Sequence, residues 1–159
     1  MMASSRKEAD ALISLLLSKG ADPNATNRAS QTALHFAASK SALDVARALI
    51  QAKASTRTKD KRGQLPLHRA AAVGNVPMIR LLLENKSPLN ASDVDGMTAL
   101  HHAMAEGHGD AALVFLREGA ESGKKDGEER LAIDCAPDVK VRQFVLDSAE
   151  REGIDVVTS

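Results

Sequence analysis

The sequence predicts an all-α solenoid of about four and a half repeats of 33 residues, each a β-turn finger followed by two antiparallel helices. Three observations carry this. Thr32-Ala33-Leu34-His35-Phe36-Ala37-Ala38 returns 33 positions later as Leu65-Pro66-Leu67-His68-Arg69-Ala70-Ala71, and again as Thr98-Ala99-Leu100-His101-His102-Ala103-Met104, with a weaker copy at Leu131-Ala132-Ile133-Asp134-Cys135-Ala136. Asp60, Asp93 and Asp126 keep the same step. So do the apolar series Leu16, Leu49, Leu82, Phe115 and its neighbour Leu17, Ile50, Leu83, Leu116. A unit that recurs with the same apolar positions cannot bury its own face, so successive copies must stack and share one elongated core.

A period of 33 with a Thr-Pro-Leu-His-x-Ala core resembles the ankyrin repeat. In that frame residues 1–26 are a half repeat that supplies only an outer helix, from about Arg6 to Lys19, with Leu12, Ile13, Leu15 and Leu16 on one side. Ser4 or Ser5 is placed to cap it and Gly20 to end it in the left-handed conformation. Residues 27–58 form the first complete repeat, with helices near Ala33 to Ser39 and Leu43 to Gln51. Its finger is irregular, because Asn27 and Ser30 stand where later fingers have Asp60 with Gly63 and Asp93 with Gly96; Asp or Asn opens such a turn and Gly tolerates positive φ. Residues 59–91 are the most regular repeat, with Asn75 to cap the outer helix and Pro77 in its first turn. Residues 92–124 follow, with Asp110 expected as the outer-helix cap. Residues 125–152 are a terminal capping repeat whose last helix starts at Pro137 and turns Val141, Phe144 or Val145, and Ser148 to one side; 153–159 are expected to be a disordered tail.

Composition narrows the function. The 21 basic residues balance the 21 acidic ones, so recognition must rest on local patches rather than on an overall field for nucleic acid or anionic lipid. With no Trp or Tyr and only Phe36, Phe115 and Phe144, a stacking platform for single-stranded nucleic acid is missing. No apolar run approaches the ~20 residues of a membrane-spanning helix, and Arg6, Lys7, Glu8 and Asp10 break any secretory leader pattern, so no membrane partner is expected. The single Cys135 reads as a buried small hydrophobe of the last repeat. His35, His68 and His101 recur with the motif and read as structural bridges between turns. His101 and His102 do not share a helix face and make no metal pair. Phosphate-loop, dinucleotide and zinc-protease patterns are absent, so the reading is of a non-enzyme with no cofactor.

Function in stacked repeats lies on positions that do not maintain the stack: finger tips and inner-helix residues on the concave side. These are Arg28, Gln31, Phe36 and Lys40 in the first repeat, Lys61, Arg62, Gln64 and Arg69 in the second, and Asp95, Met97, His102 and Glu106 in the third, with Ala29, Ser39, Ala72 and Val94 among them. Arg28, Lys40, Lys61, Arg62 and Arg69 form a basic cluster, followed by Asp95, Glu106, Glu128 and Glu129, a gradient that selects a partner of opposite gradient.

Two stretches resemble a narrower family. Lys59-Asp60 with Leu67-His68-Arg69-Ala70-Ala71-Ala72-Val73-Gly74-Asn75 and Met78-Ile79, and Ala103-Met104-Ala105-Glu106-Gly107-His108-Gly109-Asp110-Ala111-Ala112, are similar to the gankyrin family of proteasome assembly chaperones, in its fungal form. The likeness runs from about Gly20 to Leu146, although the chain carries fewer repeats than that family's usual array. It implies a monomeric chaperone of cytoplasm and nucleus that holds the C-terminal domain of a proteasomal AAA ATPase during assembly of the regulatory particle, with Arg62 and Arg69 contributing to binding and little to folding. The alternative is an ankyrin scaffold for an unrelated signalling or transcription protein.

Overall fold

A computed structural model describes residues 11–159. Residues 11–18 are helical (α1), followed by α2 (Ala33–Ser39), α3 (Leu43–Gln51), α4 (Pro66–Val73), α5 (Val76–Glu84), α6 (Ala99–Ala105), α7 (Gly109–Arg117) and α8 (Val139–Arg151), with a 3₁₀ turn at Ala132–Cys135. The helices pack in two layers. Inner helices α2, α4 and α6 contact one another in order and end on the 3₁₀ turn, while α3, α5, α7 and α8 form the outer layer. This is the expected all-α solenoid.

The core follows the period. Leu34, Leu67, Leu100 and Ile133 are buried between successive inner elements, and Leu49, Leu82 and Phe115 between successive outer helices. Each such side chain contributes roughly 1.5–3 kcal/mol by leaving water. Small residues set the inner-layer spacing: Ala37, Ala38, Ala70, Ala71 and Ala103 are buried, so α2, α4 and α6 approach closely.

The motif histidines are structural for a definite reason. Thr32 N–H and Leu65 N–H donate to Nδ1 of His35 and His68 at 3.0 and 2.9 Å, and Thr98 N–H to that of His101 at 3.3 Å. With Nδ1 accepting, Nε2 carries the proton. It donates to the carbonyls of Gln64, Ala91 and Arg130, at 2.9, 3.0 and 3.0 Å. Each imidazole thus closes its own helix start; those of His35 and His101 tie it to the next repeat, and that of His68 to the segment leading into the next finger. Burial pushes the His68 imidazole down to about 4, with the neighbouring His102 ring acting in the same direction; the two rings meet edge to face at 5.5 Å. Burial also lowers His35.

Several expectations change. The face α1 turns to the stack consists of Ile13 and Leu17, whereas Leu12, Leu15 and Leu16 are about half exposed; the start of this helix and its Ser4 or Ser5 cap lie outside the described residues. Asn75 does cap α5, accepting from Met78 N–H at 3.1 Å. Asp110 does not cap α7, because the helix begins at Gly109 and Asp110 already lies inside its first turn. The last inner helix is reduced to the 3₁₀ turn, and α8 starts after Asp138, whose carboxylate accepts from Val141 N–H at 2.9 Å. Its packed face is Val141, Val145 and Ala149, at a four-residue step, while Phe144 is 47% exposed.

The segment 153–159 is not a disordered tail. Ile154 N–H bonds to Ala149 O at 2.8 Å, Val157 N–H to Ser122 Oγ at 3.0 Å, and Ser159 Oγ to Asp134 Oδ2 at 3.3 Å. Val156 helps line the apolar space among Leu100, Met104, Leu116, Ile133 and Val145. The alternation of Ile154 and Val156 with exposed Asp155 is what lets so short a segment cover the end of the core.

Candidate protein-binding surface

The fingers and the inner helices form one continuous surface, built on a residue pair repeated with the period. Asn27 Oδ1, Asp60 Oδ1, Asp93 Oδ1 and Asp126 Oδ1 each accept two backbone N–H bonds from their own turn, two and four residues on, at 2.9–3.0 Å. In the second and third fingers the other carboxylate oxygen faces the inner helix nine residues later, whereas Asp126 Oδ2 accepts from Arg130 Nε in its own finger. Asp60 Oδ2 meets Arg69 Nη2 at 2.8 Å, and Asp93 Oδ2 meets His102 Nε2 at 2.8 Å. Asp60 and Asp93 are 2% and 1% exposed at the side chain, Arg69 and His102 only 21% and 16%. Burial works to raise these carboxyls, but the bonds they accept outweigh it and hold both below the usual carboxylate value.

This corrects the expectation for Arg69. Its guanidinium also donates to Ser39 Oγ at 3.2 Å, so it is a strut between finger and helix and contributes to folding; its Nε–H is buried without an acceptor. His102 likewise holds the next finger. Gln64 is partly committed, donating to Asp93 Oδ2 at 3.3 Å, and Gln31 Oε1 accepts from Asn27 Nδ2 at 2.9 Å.

The rest of the set is on the outside. Arg28, Lys61, Arg62 and Asp95 are exposed at finger tips, Lys40 and Glu106 are exposed at the ends of α2 and α6, Phe36 is exposed on α2, and Met97 is half-buried. Between the first two fingers a groove of about 330 Å³ is lined by Ala29, Gln31, Asp60, Lys61, Arg62, Gln64 and Arg69, so three of the five residues of the expected basic cluster, Lys61, Arg62 and Arg69, meet around one cleft while Arg28 and Lys40 lie outside it. The fingers are held in line by one backbone bond per step: Lys61 N–H to Ala29 O, Val94 N–H to Arg62 O and Gly127 N–H to Asp95 O, at 3.0, 2.9 and 2.8 Å.

One side-chain cluster has metal-ligand character, with donor atoms of His101, Asp126 and Cys135 within 4.8 Å of one another. Those donors are committed to the fold. Both His101 nitrogens are engaged, and Asp126 accepts from Glu128 N–H, Arg130 N–H and Arg130 Nε. The cluster is the local version of His68, Asp93 and His102, with Cys135 at the position of Arg69 and His102. Cys135 is accordingly half-buried rather than fully buried, packed against the core beside the finger, and burial pushes its thiol up.

Two contributors escaped the sequence reading. The strut role of Arg69 was visible only as a constant nine-residue offset from Asp60, repeated by Asp93 and His102. His108, on the opposite side, donates through Nε2–H to Ala72 O at 3.0 Å, and its ring fills the space where a side chain on Gly74 would stand. Among the described residues no helix is long and apolar enough to cross a membrane. A family model described as ankyrin repeats (3 copies) matches residues 1–93 and 53–126. The search of curated proteins returned no match.

Proposed function

The chain belongs to the ankyrin-repeat family, whose repeats indicate a protein-binding module, and on that premise we infer that it is a chaperone that holds the C-terminal domain of a proteasomal ATPase during assembly of the regulatory particle, in cytoplasm and nucleus. The observation that supports this reading is the graded binding surface. Lys61 and Arg62 stand exposed at the second finger, and Asp95 and Glu128 at the third and fourth, so the surface passes from basic to acidic along the array. Complementary gradients fix the register of a partner and steer its approach. The two gankyrin-like stretches lie on this part of the array, one along α4 and one from α6 into α7.

Arg62 is the residue that carries the binding role here. Its side chain makes no bond or ion pair among the described residues, in contrast to Arg69. The test is calorimetry of the full chain against the purified C-terminal domain of each proteasomal ATPase at two salt concentrations. One domain should bind selectively, and Arg62→Glu should weaken it while flattening its salt dependence, because screening then acts on an attraction that is gone. If no ATPase domain binds, or the one that binds ignores Arg62→Glu, the chaperone reading fails and a different protein partner takes its place.

A further inference from the structure

We propose that the groove between the first and second fingers is the seat for one acidic side chain, a glutamate or aspartate, of the docked protein. The inference rests on the protein-binding reading and is independent of which protein docks. It is carried by comparison of the repeats with one another. The same seven positions recur at each junction, so the fold itself is constant and the differences are chemistry. At the first junction they are Ala29, Gln31, Asp60, Lys61, Arg62, Gln64 and Arg69. One step on, Lys61 and Arg62 become Val94 and Asp95 and Gln64 becomes Met97; two steps on, they become Gly127 and Glu128 with Arg130.

Only the first junction therefore carries an excess of cations: the second keeps Arg62, at the Ala29 position, with Asp95, and the third keeps Arg130 among carboxylates. Lys61, Arg62 and Arg69 face a single carboxylate, Asp60, which is already bonded to two backbone N–H groups and to Arg69. An excess of two positive charges remains in a cleft of about 330 Å³. Arg69 uses Nη1 and Nη2 for the fold and leaves its Nε–H unmatched, a buried donor short of an acceptor. A carboxylate fits this better than a phosphate dianion, since Asp60 lies within bonding distance of the same guanidinium and repels the second charge. At the third junction Asp95, Asp126 and Glu128 outnumber Arg130, whose guanidinium is taken by Asp126 and Glu128. The partner should accordingly present a Lys or Arg about two helix-packing steps, roughly 16–20 Å, from its buried acid.

The test uses the isotope-labelled full chain, titrated by NMR with three short neutral-flanked peptides that carry one Glu, one Gln or one phosphoserine. The Glu peptide should shift the Arg62 and Gln64 amides and the Arg69 Nε–H saturably, with at least tenfold weaker binding for the Gln peptide. Lys61→Glu with Arg62→Glu should abolish the shifts with an unchanged melt; Lys61→Gln with Arg62→Gln serves as a milder second variant and should weaken them severalfold. Equal binding of the Gln peptide, shifts centred elsewhere, or no effect of either double variant would overturn the proposal. Tenfold preference for the phosphoserine peptide would overturn it in favour of a phosphate site. Saturable Glu binding without affinity for any proteasomal ATPase domain would leave the groove standing and remove only the chaperone reading.

Discussion

Replacing Arg69 by Ala removes one strut and leaves the rest of the second finger in place, which makes its cost calculable. The substitution deletes the 2.8 Å bond to Asp60 and the 3.2 Å bond to Ser39, while Asp60 keeps its two backbone N–H donors. A hydrogen bond to a charged group contributes about 1.5–3 kcal/mol. Arg69 is one-fifth exposed, so solvent screens part of this and a loss of about 2 kcal/mol is expected. In urea, with a slope of about 2 kcal/mol/M, the midpoint should fall by about 1 M. Asp60→Ala should cost more, about 3–5 kcal/mol, because it also strips two turn amides of their acceptor and leaves Arg69 without its counter-charge. Arg69→His supplies the control: the next repeat already holds Asp93 with His102 at the same 2.8 Å, so this variant should lose less than about 1 kcal/mol. If Arg69→Ala melts within about 0.5 kcal/mol of the wild type, the strut is an idle surface pair and the account of this finger is wrong.

Stability should also fall as pH drops through the imidazole range. His68 titrates near 4 in the fold against 6.5 when exposed, so the unfolded chain takes up a proton that the native one refuses, and the stabilisation present above 6.5 is lost progressively down to about 4. The full loss is about 3 kcal/mol; urea midpoints across that window should show it, and His68→Gln should flatten the slope. Below this window Asp60, Asp93 and Asp126, all held below 3.8, add a second loss as they are protonated. Leu67→Ala should cost about 2–5 kcal/mol, being packed from both sides, and Ile133→Ala less, since only one full repeat and the closing segment cover it; equal costs in denaturant melts would contradict the stacking. Gly20→Ala and Gly96→Ala both place a side chain at positive φ, a common penalty of about 1 kcal/mol, but a Cβ on Gly96 would sit 2.6 Å from Gly127 N whereas Gly20 has nothing within 4 Å. The Gly96 variant should therefore melt clearly lower, and identical melts would show that the finger contact is slack.

The stack was legible in the sequence because its information is periodic. Leu34, Leu67 and Leu100, or Asp60, Asp93 and Asp126, declare their environment by recurring, and even Asn27 could be read as the opening residue of a finger by its place in the series. What was not legible arises where the period is broken or where partners come from side chains of unlike type. Arg69, His102 and Cys135 share a position but not a chemistry, so nothing in any one of them reveals that two hold a finger. The closing segment lacks any repeat counterpart: Val156 is recognisable as core only once Leu116, Ile133 and Val145 are seen to leave a gap. Phe144 and Val145 both fit a three- or four-residue step from Val141, so the spacing alone left the choice open; the structure buries Val145 and leaves Phe144 47% exposed.

The single backbone bonds that join finger to finger also determine how the array can deform. Apolar packing between helices is non-directional and lets neighbouring units slide by small amounts, but the Lys61 to Ala29, Arg62 to Val94 and Asp95 to Gly127 links are directional and short. The bridges from His35 and His101, and the bonds that Asn24, Asn85 and Asn90 accept from Ser55 N–H, Thr56 Oγ1 and Glu121 N–H at the far edge, tie neighbouring repeats in the same directional way, so any change of curvature must be shared between the two edges of the stack rather than taken up at one.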